Sequence, residues 1–122
     1  MADVEQIRHA LALVRAGDGF TAHELLEDLW RGAEPSERDL YQGLVHVAVA
    51  TYQESRGNEV GRRRQLEKAA RRLQAYEPAY AGLDIVGPLY ATKTEFGMKF
   101  REMVAREGVP AAVRWRSAQF KE

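Results

Sequence analysis

Three side chains suited to acid–base or metal chemistry lie close together in the segment FTAHELLEDLW, residues 20–30: His23, Glu24 and Glu27. His23 and Glu27 are four residues apart, so on a helix they stack one above the other at the edge of the leucine stripe. A neutral imidazole beside a carboxylate suits a borderline divalent cation. The segment therefore indicates a candidate metal site, although HELLE lacks the second histidine of the metalloprotease pattern H-E-x-x-H.

The same segment also carries the signals of a helix N-terminus. Thr21 stands three residues before Glu24, the spacing of a capping box, in which both side chains satisfy free backbone amides. Phe20 and Leu25 fall at the two positions of a hydrophobic staple. We therefore expect Glu24 to be structural, and it is a candidate catalytic base only if it does not cap the helix.

A polar line runs along the most apolar segment of the chain, DLYQGLVHVAVATYQESRG. At about 100° per residue, Asp39, Gln42, His46 and Gln53 lie within about 60° of one another on an otherwise apolar helix. We expect this line to face the helix that carries His23, so that a polar pocket forms between the second and third helices. The predicted pocket residues are His23, Glu27, Trp30, Gln42 and His46.

Three interpretations of the polar line stay open. It can be the face of the helix that touches solvent, or a buried network in which each histidine pairs with a carboxylate or an amide. It can also belong to a metal or catalytic site. In that case the metal ligands are His23, Glu27 and His46, and Glu24 is the base.

The elements that position these side chains are helices, because helical periodicity dominates the sequence. Breaks at Gly17, Pro35 and Gly57 separate them. The predicted helices cover about 4–15, 22–32, 39–57, 59–76 and 89–107. The tail that follows, GVPAAVRWRSAQFKE, can be a short strand, an extended arm or a docked segment anchored by Trp115 and Phe120.

These elements predict an all-α fold: a compact antiparallel bundle of about five helices with an irregular C-terminal tail. A chain of 122 residues is long enough to bury a core of its own, so we expect one domain over residues 1–122. The role of the tail, residues 107–122, is not determined by the sequence.

The amino-acid composition excludes several classes of functional site and partner. The absence of cysteine excludes disulfides, thiolate zinc sites and cysteine nucleophiles. Eighteen basic and eighteen acidic residues give no net charge to attract nucleic acid or an acidic membrane. The N-terminal segment reads neither as a signal peptide nor as a spanning helix, so we expect a cytoplasmic protein that does not enter the membrane.

The charges are nevertheless segregated along the chain. The fourth predicted helix carries a basic patch, whereas residues 18–39 hold seven acids against Arg31 and Arg38. The patch consists of Arg62, Arg63, Arg64, Lys68, Arg71 and Arg72. It can meet phosphate, but the absence of interleaved aromatic residues speaks against nucleic acid, and we expect the two surfaces to be solvated or to pair within a bundle or an oligomer. Aromatic residues near the C-terminus also fit a homodimer interface.

The motifs AHELLEDLW and ERDLYQGLVHVAVATYQESRGN, followed by a helix of the LEKAARRL kind, resemble the prokaryotic family called domain of unknown function 309. The likeness covers roughly residues 5–86, which form a family-like core, and leaves 87–122 as an extra helix and tail. The resemblance implies an all-helical fold and the label of predicted metal-dependent hydrolase. By motif it implies site positions at His23, Glu24, Glu27, Trp30, Gln42 and Gly43.

The expected function is thus that of an uncharacterised small helical protein with a His/Glu/Gln pocket, acting as a binding or interaction module. The ligand and any cofactor are unknown from the sequence. The alternative is a metal-dependent hydrolase that holds a divalent cation with His23, Glu27 and His46 and uses Glu24 as base.

Overall fold

The computed structural model describes residues 3–77, 79–85, 102–103, 105–108, 110–112 and 114–115. Four long helices dominate these residues: α1 (Val4–Arg15), α2 (Gly19–Arg31), α3 (Arg38–Ser55) and α4 (Glu59–Leu73). Short 3₁₀ turns at Pro35–Glu37 and Gln74–Tyr76 precede α3 and follow α4. The predicted all-α bundle is confirmed. Among the described residues, no helix is long and apolar enough to cross a bilayer.

Helix α2 begins earlier than predicted. Asp18 is its N-cap, and its Oδ1 accepts a hydrogen bond from the backbone N–H of Thr21 over 3.1 Å. Hydrogen bonds from the backbone and side chain of Thr21 lower the pKa of the Asp18 carboxyl, because they stabilise its charged form. The predicted capping box is therefore wrong: Thr21 lies inside the helix, and Glu24 is an exposed residue of its second turn.

The other helix ends follow their sequence signals. Gly17 and Gly57 lie just beyond α1 and α3, with φ of 87° and 71°, the left-handed conformation that favours glycine. Asn58 is the N-cap of α4, and its Oδ1 accepts a hydrogen bond from the N–H of Gly61 over 2.9 Å. The short connections hold successive helices antiparallel.

A two-stranded hairpin after α4 was not predicted. Strand β1 (Ala79–Tyr80) pairs antiparallel with β2 (Leu83–Asp84). Ala81 and Gly82 between them have φ of 51° and 79°, as a type I′ turn requires. Two residues per strand are too few for an alternating pattern to show in the sequence.

Helix α3 lies at the centre of the bundle. It packs against α2 on one side and α4 on the other, while α1 lies mainly against α2. The largest fully buried side chains come from all four helices and from the residue after the hairpin. They are Ile7, Leu26, Leu40, Leu44, Val47, Leu73 and Ile85.

The described part of the tail is helical at 110–112 and 114–115, so the strand alternative is wrong there. Ala112 is fully buried, and Trp115 packs against the core, which fits the docked segment. Of the predicted fifth helix, 102–103 and 105–107 are helical. The rest of that helix and Phe120 lie outside the described residues.

Two glycines bring α3 close to its neighbours. A Cβ at Gly19 would lie 2.3 Å from the carbonyl oxygen of Ala48 and 2.6 Å from the amide nitrogen of Tyr52. A Cβ at Gly43 would lie 2.5 Å from Cγ of Leu73, which is fully buried. Both contacts are too short for any side chain, so each glycine is required by packing.

We expect Gly19→Ala to lower the free energy of unfolding by at least about 2 kcal/mol, because the methyl group would meet backbone atoms of α3 that cannot turn aside. The matched control is Gly32→Ala, at a position with negative φ and no atom within 4 Å of the added Cβ. Its effect should stay within about 0.5 kcal/mol. Urea unfolding measures both, and equal losses would contradict the packing requirement.

Candidate functional site

The His23–Glu27 pair forms on α2. Nε2 of His23 lies 3.3 Å from Oε1 of Glu27, and the two side chains are 26% and 39% exposed. The other carboxylate oxygen of Glu27 lies 3.8 Å from the guanidinium of Arg31, one turn further on. The pair thus sits at the border between the core and solvent, within reach of a ligand.

The second ring nitrogen of His23 restricts what the first can do. Nδ1 lies 3.2 Å from the backbone carbonyl of Phe20, which only accepts hydrogen bonds, so Nδ1 is the protonated donor. A neutral ring would then direct the Nε2 lone pair at the Glu27 carboxylate, an arrangement of two acceptors. Nε2 and the Glu27 carboxylate thus face each other, and both groups are of the kind that can bind a cation.

His46 turns to the other side of α3. Its Nδ1 lies 2.8 Å from Oε1 of Gln65 on α4 and donates to that amide oxygen. Burial is the main cause that lowers the pKa of His46, with smaller contributions from Lys68 and Arg72, whereas the bond to Gln65 raises it. The structure therefore does not bring His46 together with His23 and Glu27.

His46 faces α4 because it belongs to a row of polar contacts along the α3–α4 interface. Asp39 accepts a hydrogen bond from Arg72 over 2.9 Å, His46 pairs with Gln65, and Oε1 of Gln53 accepts from Asn58 over 3.0 Å. From one contact to the next, the residue on α3 is seven positions later and its partner on α4 is seven positions earlier. Seven residues are about two turns of a helix, so the contacts lie in one row between the antiparallel helices. The polar line of α3 is thus a network between these helices.

Gln42 is half-buried on α3, and none of the described hydrogen bonds involves its side chain. Across residues 3–77, 79–85 and the described tail positions, no group of three His, Asp or Glu side chains is placed to hold a metal ion. The ligand set His23, Glu27 and His46 is therefore not assembled, and only its first two members meet. Glu24 is exposed on the same helix and does not cap it.

Contacts that involve aromatic rings lie at both ends of the interface between α2 and α3. At one end the ring of Phe20, which is 54% exposed, lies 6.0 Å from the ring of Tyr52 and 5.8 Å from that of His23. At the other end the Arg38 guanidinium lies 5.3 Å from the centre of the Trp30 ring. We call this surface the α2–α3 seam; it consists of Phe20, His23, Glu27, Trp30, Arg38 and Tyr52.

Two members of the seam were not recognised as site residues in the sequence. Phe20 was assigned to a staple, and Arg38 had no predicted contact. The helical spacing of Phe20, His23, Glu27 and Trp30 indicates a shared side of α2, but the partners on α3 depend on how the two helices pack.

A buried carboxylate near the start of α3 was also missed. Glu37 is 4% exposed and accepts a hydrogen bond from the Tyr80 hydroxyl over 3.0 Å. Next to it, the hydroxyl of Tyr76 donates to the carbonyl of Ser36 over 2.7 Å. The bond to Glu37 raises the pKa of Tyr80, because it stabilises the protonated phenol beside a negative charge. These bonds attach the hairpin to the bundle.

Comparison with known proteins finds a family match for part of the chain. Residues 7–65 match the family model described as Domain of unknown function (DUF309). This confirms the resemblance read from the motifs, and the matched segment contains the whole α2–α3 seam. It also covers α2 and α3 in full, together with most of α1 and the first half of α4.

The chain is also similar to an uncharacterized protein of Bacillus subtilis (strain 168), YpuF. The two are 36% identical over 69 residues, which is 56% of this chain and 40% of that protein. The chain thus spans less than half the length of this curated relative. No solved structure matches the chain significantly.

The burial of His46 makes the stability of the fold depend on pH. Since the pKa of His46 is lowered in the folded state, the unfolded chain binds a proton more readily, and stability is lost as pH falls below about 6.5. We expect wild type to lose more stability than His46→Gln between roughly pH 7.5 and pH 5.5. The variant keeps an N–H donor for Gln65 but does not titrate, and the other histidines are common to both proteins. Urea unfolding at each pH measures the free energy of unfolding of both proteins, and equal losses in the two would contradict the prediction.

Proposed function

We propose that this protein is an interaction module and that the α2–α3 seam is its binding surface. The observation that carries the proposal is the exposure of Phe20, which is held in place by Tyr52 and His23 rather than being buried with the core. A large aromatic side chain that is ordered but exposed can bury area against a partner at little cost in conformational entropy.

The rest of the seam supports this role. Trp30 and Arg38 supply a second aromatic and cationic contact, and both residue types are frequent among the side chains that contribute most to binding. Between the two ends, His23 and Glu27 offer a polar pair that can set the orientation of the partner. The surface thus combines apolar anchors with a central charged group.

A photo-crosslinking amino acid in place of Phe20 tests the proposal in cells. We expect a defined covalent adduct from position 20 and none from position 12, which is exposed on α1 and is not part of the seam. Glu27→Lys should reduce the adduct at position 20 by about tenfold, since reversing the central charge opposes the partner's orientation. Equal adducts at both positions, or none at either, would reject the seam as a binding surface.

A second candidate is a metal-dependent hydrolase, and one observation favours it. The Nε2 lone pair of a neutral His23 and the Glu27 carboxylate face each other over 3.3 Å, an arrangement that a divalent cation would stabilise. The donor set fits only in part, because the His46 side chain is engaged by Gln65. Glu24 as the base and His46 as the third ligand remain predictions from the sequence.

Metal loading distinguishes the two candidates. We expect protein incubated with zinc, manganese or iron to release the metal on dialysis, because His23 and Glu27 alone supply too few ligands for tight binding. Its melting temperature should then equal that of untreated protein. Stoichiometric metal that survives dialysis and is lost in His23→Ala would instead favour the hydrolase.

A further inference from the structure

Two large apolar side chains are markedly exposed in the described part of the chain. Phe20 of α2 is 54% exposed, and Val60 of α4 is 58% exposed. Each lies in the first turn of its helix. Single exposed apolar residues are common on protein surfaces, so the charges around these two decide whether they matter.

Those charges have the same spacing and opposite sign. In each helix, charged residues follow the exposed apolar residue after four and eight positions, and residues at these intervals lie along one side of a helix. In α2 they are acids, and in α4 they are bases; all are exposed. We call the first set the acidic series (Phe20, Glu24 and Asp28) and the second the basic series (Val60, Arg64 and Lys68).

We infer that α2 of one copy packs alongside α4 of a second copy, with the acidic series against the basic series. When the two helices point the same way and cross at about −50°, rows of residues four positions apart lie side by side. Phe20 then meets Val60, and each acid meets a base at the next two turns. This inference rests on the proposed function, because it names the partner that Phe20 of the seam contacts.

Flanking side chains support the same register. Glu27 lies beside the acidic series, on the flank that a parallel partner helix would approach with Arg64 and Lys68. On α4, the exposed Arg63 lies beside the basic series, on the flank that Glu24 would approach. No ion pair or hydrogen bond is described for three basic residues of α4: Arg63, Arg64 and Lys68. They can therefore contact a partner without breaking a described interaction within their own chain.

A second copy is the partner that the charges identify. The chain has eighteen basic and eighteen acidic residues, so it carries an equal amount of negative charge to complement its basic surface. The acids are concentrated in residues 18–39, which include α2. Within α2, Arg31 offsets part of this charge through an exposed pair with Asp28, and such pairs are weak.

The position of the two helices allows two types of assembly. Helix α3 packs between α2 and α4, so the acidic and basic series lie on the two helices that flank it. A contact of α2 with α4 of another copy builds rings or linear chains when each copy uses its two series with different neighbours, and it closes as a twofold dimer when two copies exchange both contacts.

Analytical ultracentrifugation of the full chain tests the inference. Wild type should associate with increasing concentration, and raising the salt should weaken association, because the contact is electrostatic. Glu24→Lys with Asp28→Lys should weaken association at least about tenfold, and so should Arg64→Glu with Lys68→Glu. Combining all four changes in one chain should restore association, because both series are reversed.

The combined variant also excludes misfolding as the cause, since it contains every substitution that is present in the separate variants. An equimolar mixture of the two separate variants should associate as well, because each series then meets its opposite on the other protein. A wild type that stays monomeric at all concentrations overturns the inference. If position 20 nevertheless crosslinks to a different protein, the proposal of an interaction module stands, and only the inference that the partner is a second copy fails.

Discussion

The structure depends on the close approach of α3 to the helices on either side of it. Gly19 lets the start of α2 touch the backbone of α3, and Gly43 lets Leu73 of α4 enter the surface of α3. Helices that pack at such short range cannot rotate or slide without a clash. The two contacts therefore fix which side of α3 faces α2 and which side faces α4, and every other feature of the site follows from this.

The polar line of α3 shows the consequence. With its orientation fixed, Asp39, His46 and Gln53 lie against α4, where partners at matching intervals satisfy them. Buried and half-buried polar groups need such partners, so the line specifies the pairing of the two helices. His23 and Glu27 are left as a pair on α2, at the edge of a surface bordered by aromatic residues.

The two histidines therefore differ in their surroundings. The half-buried histidine, His46, has a partner and a lowered pKa, as expected for a side chain that holds two helices together. The outer histidine, His23, lies near the carbonyl of Phe20 and the carboxylate of Glu27, and its side chain remains partly exposed. The family match over residues 7–65 spans both histidines, so it supports the shared architecture without distinguishing their roles.

The sequence by itself determined the helices, because apolar periodicity and local caps are properties of neighbouring residues. Gly17, Gly57 and Asn58 end or begin helices where their chemistry predicts, and His23 and Glu27 pair because four residues make one turn. Only the tertiary structure decided that Asp18 rather than Thr21 caps α2 and that His46 faces α4. Asp18 and Thr21 are both residue types that favour the N-cap, so local preference alone does not choose between them. A helix that is apolar on most sides can be rotated in several ways until its neighbours pack against it.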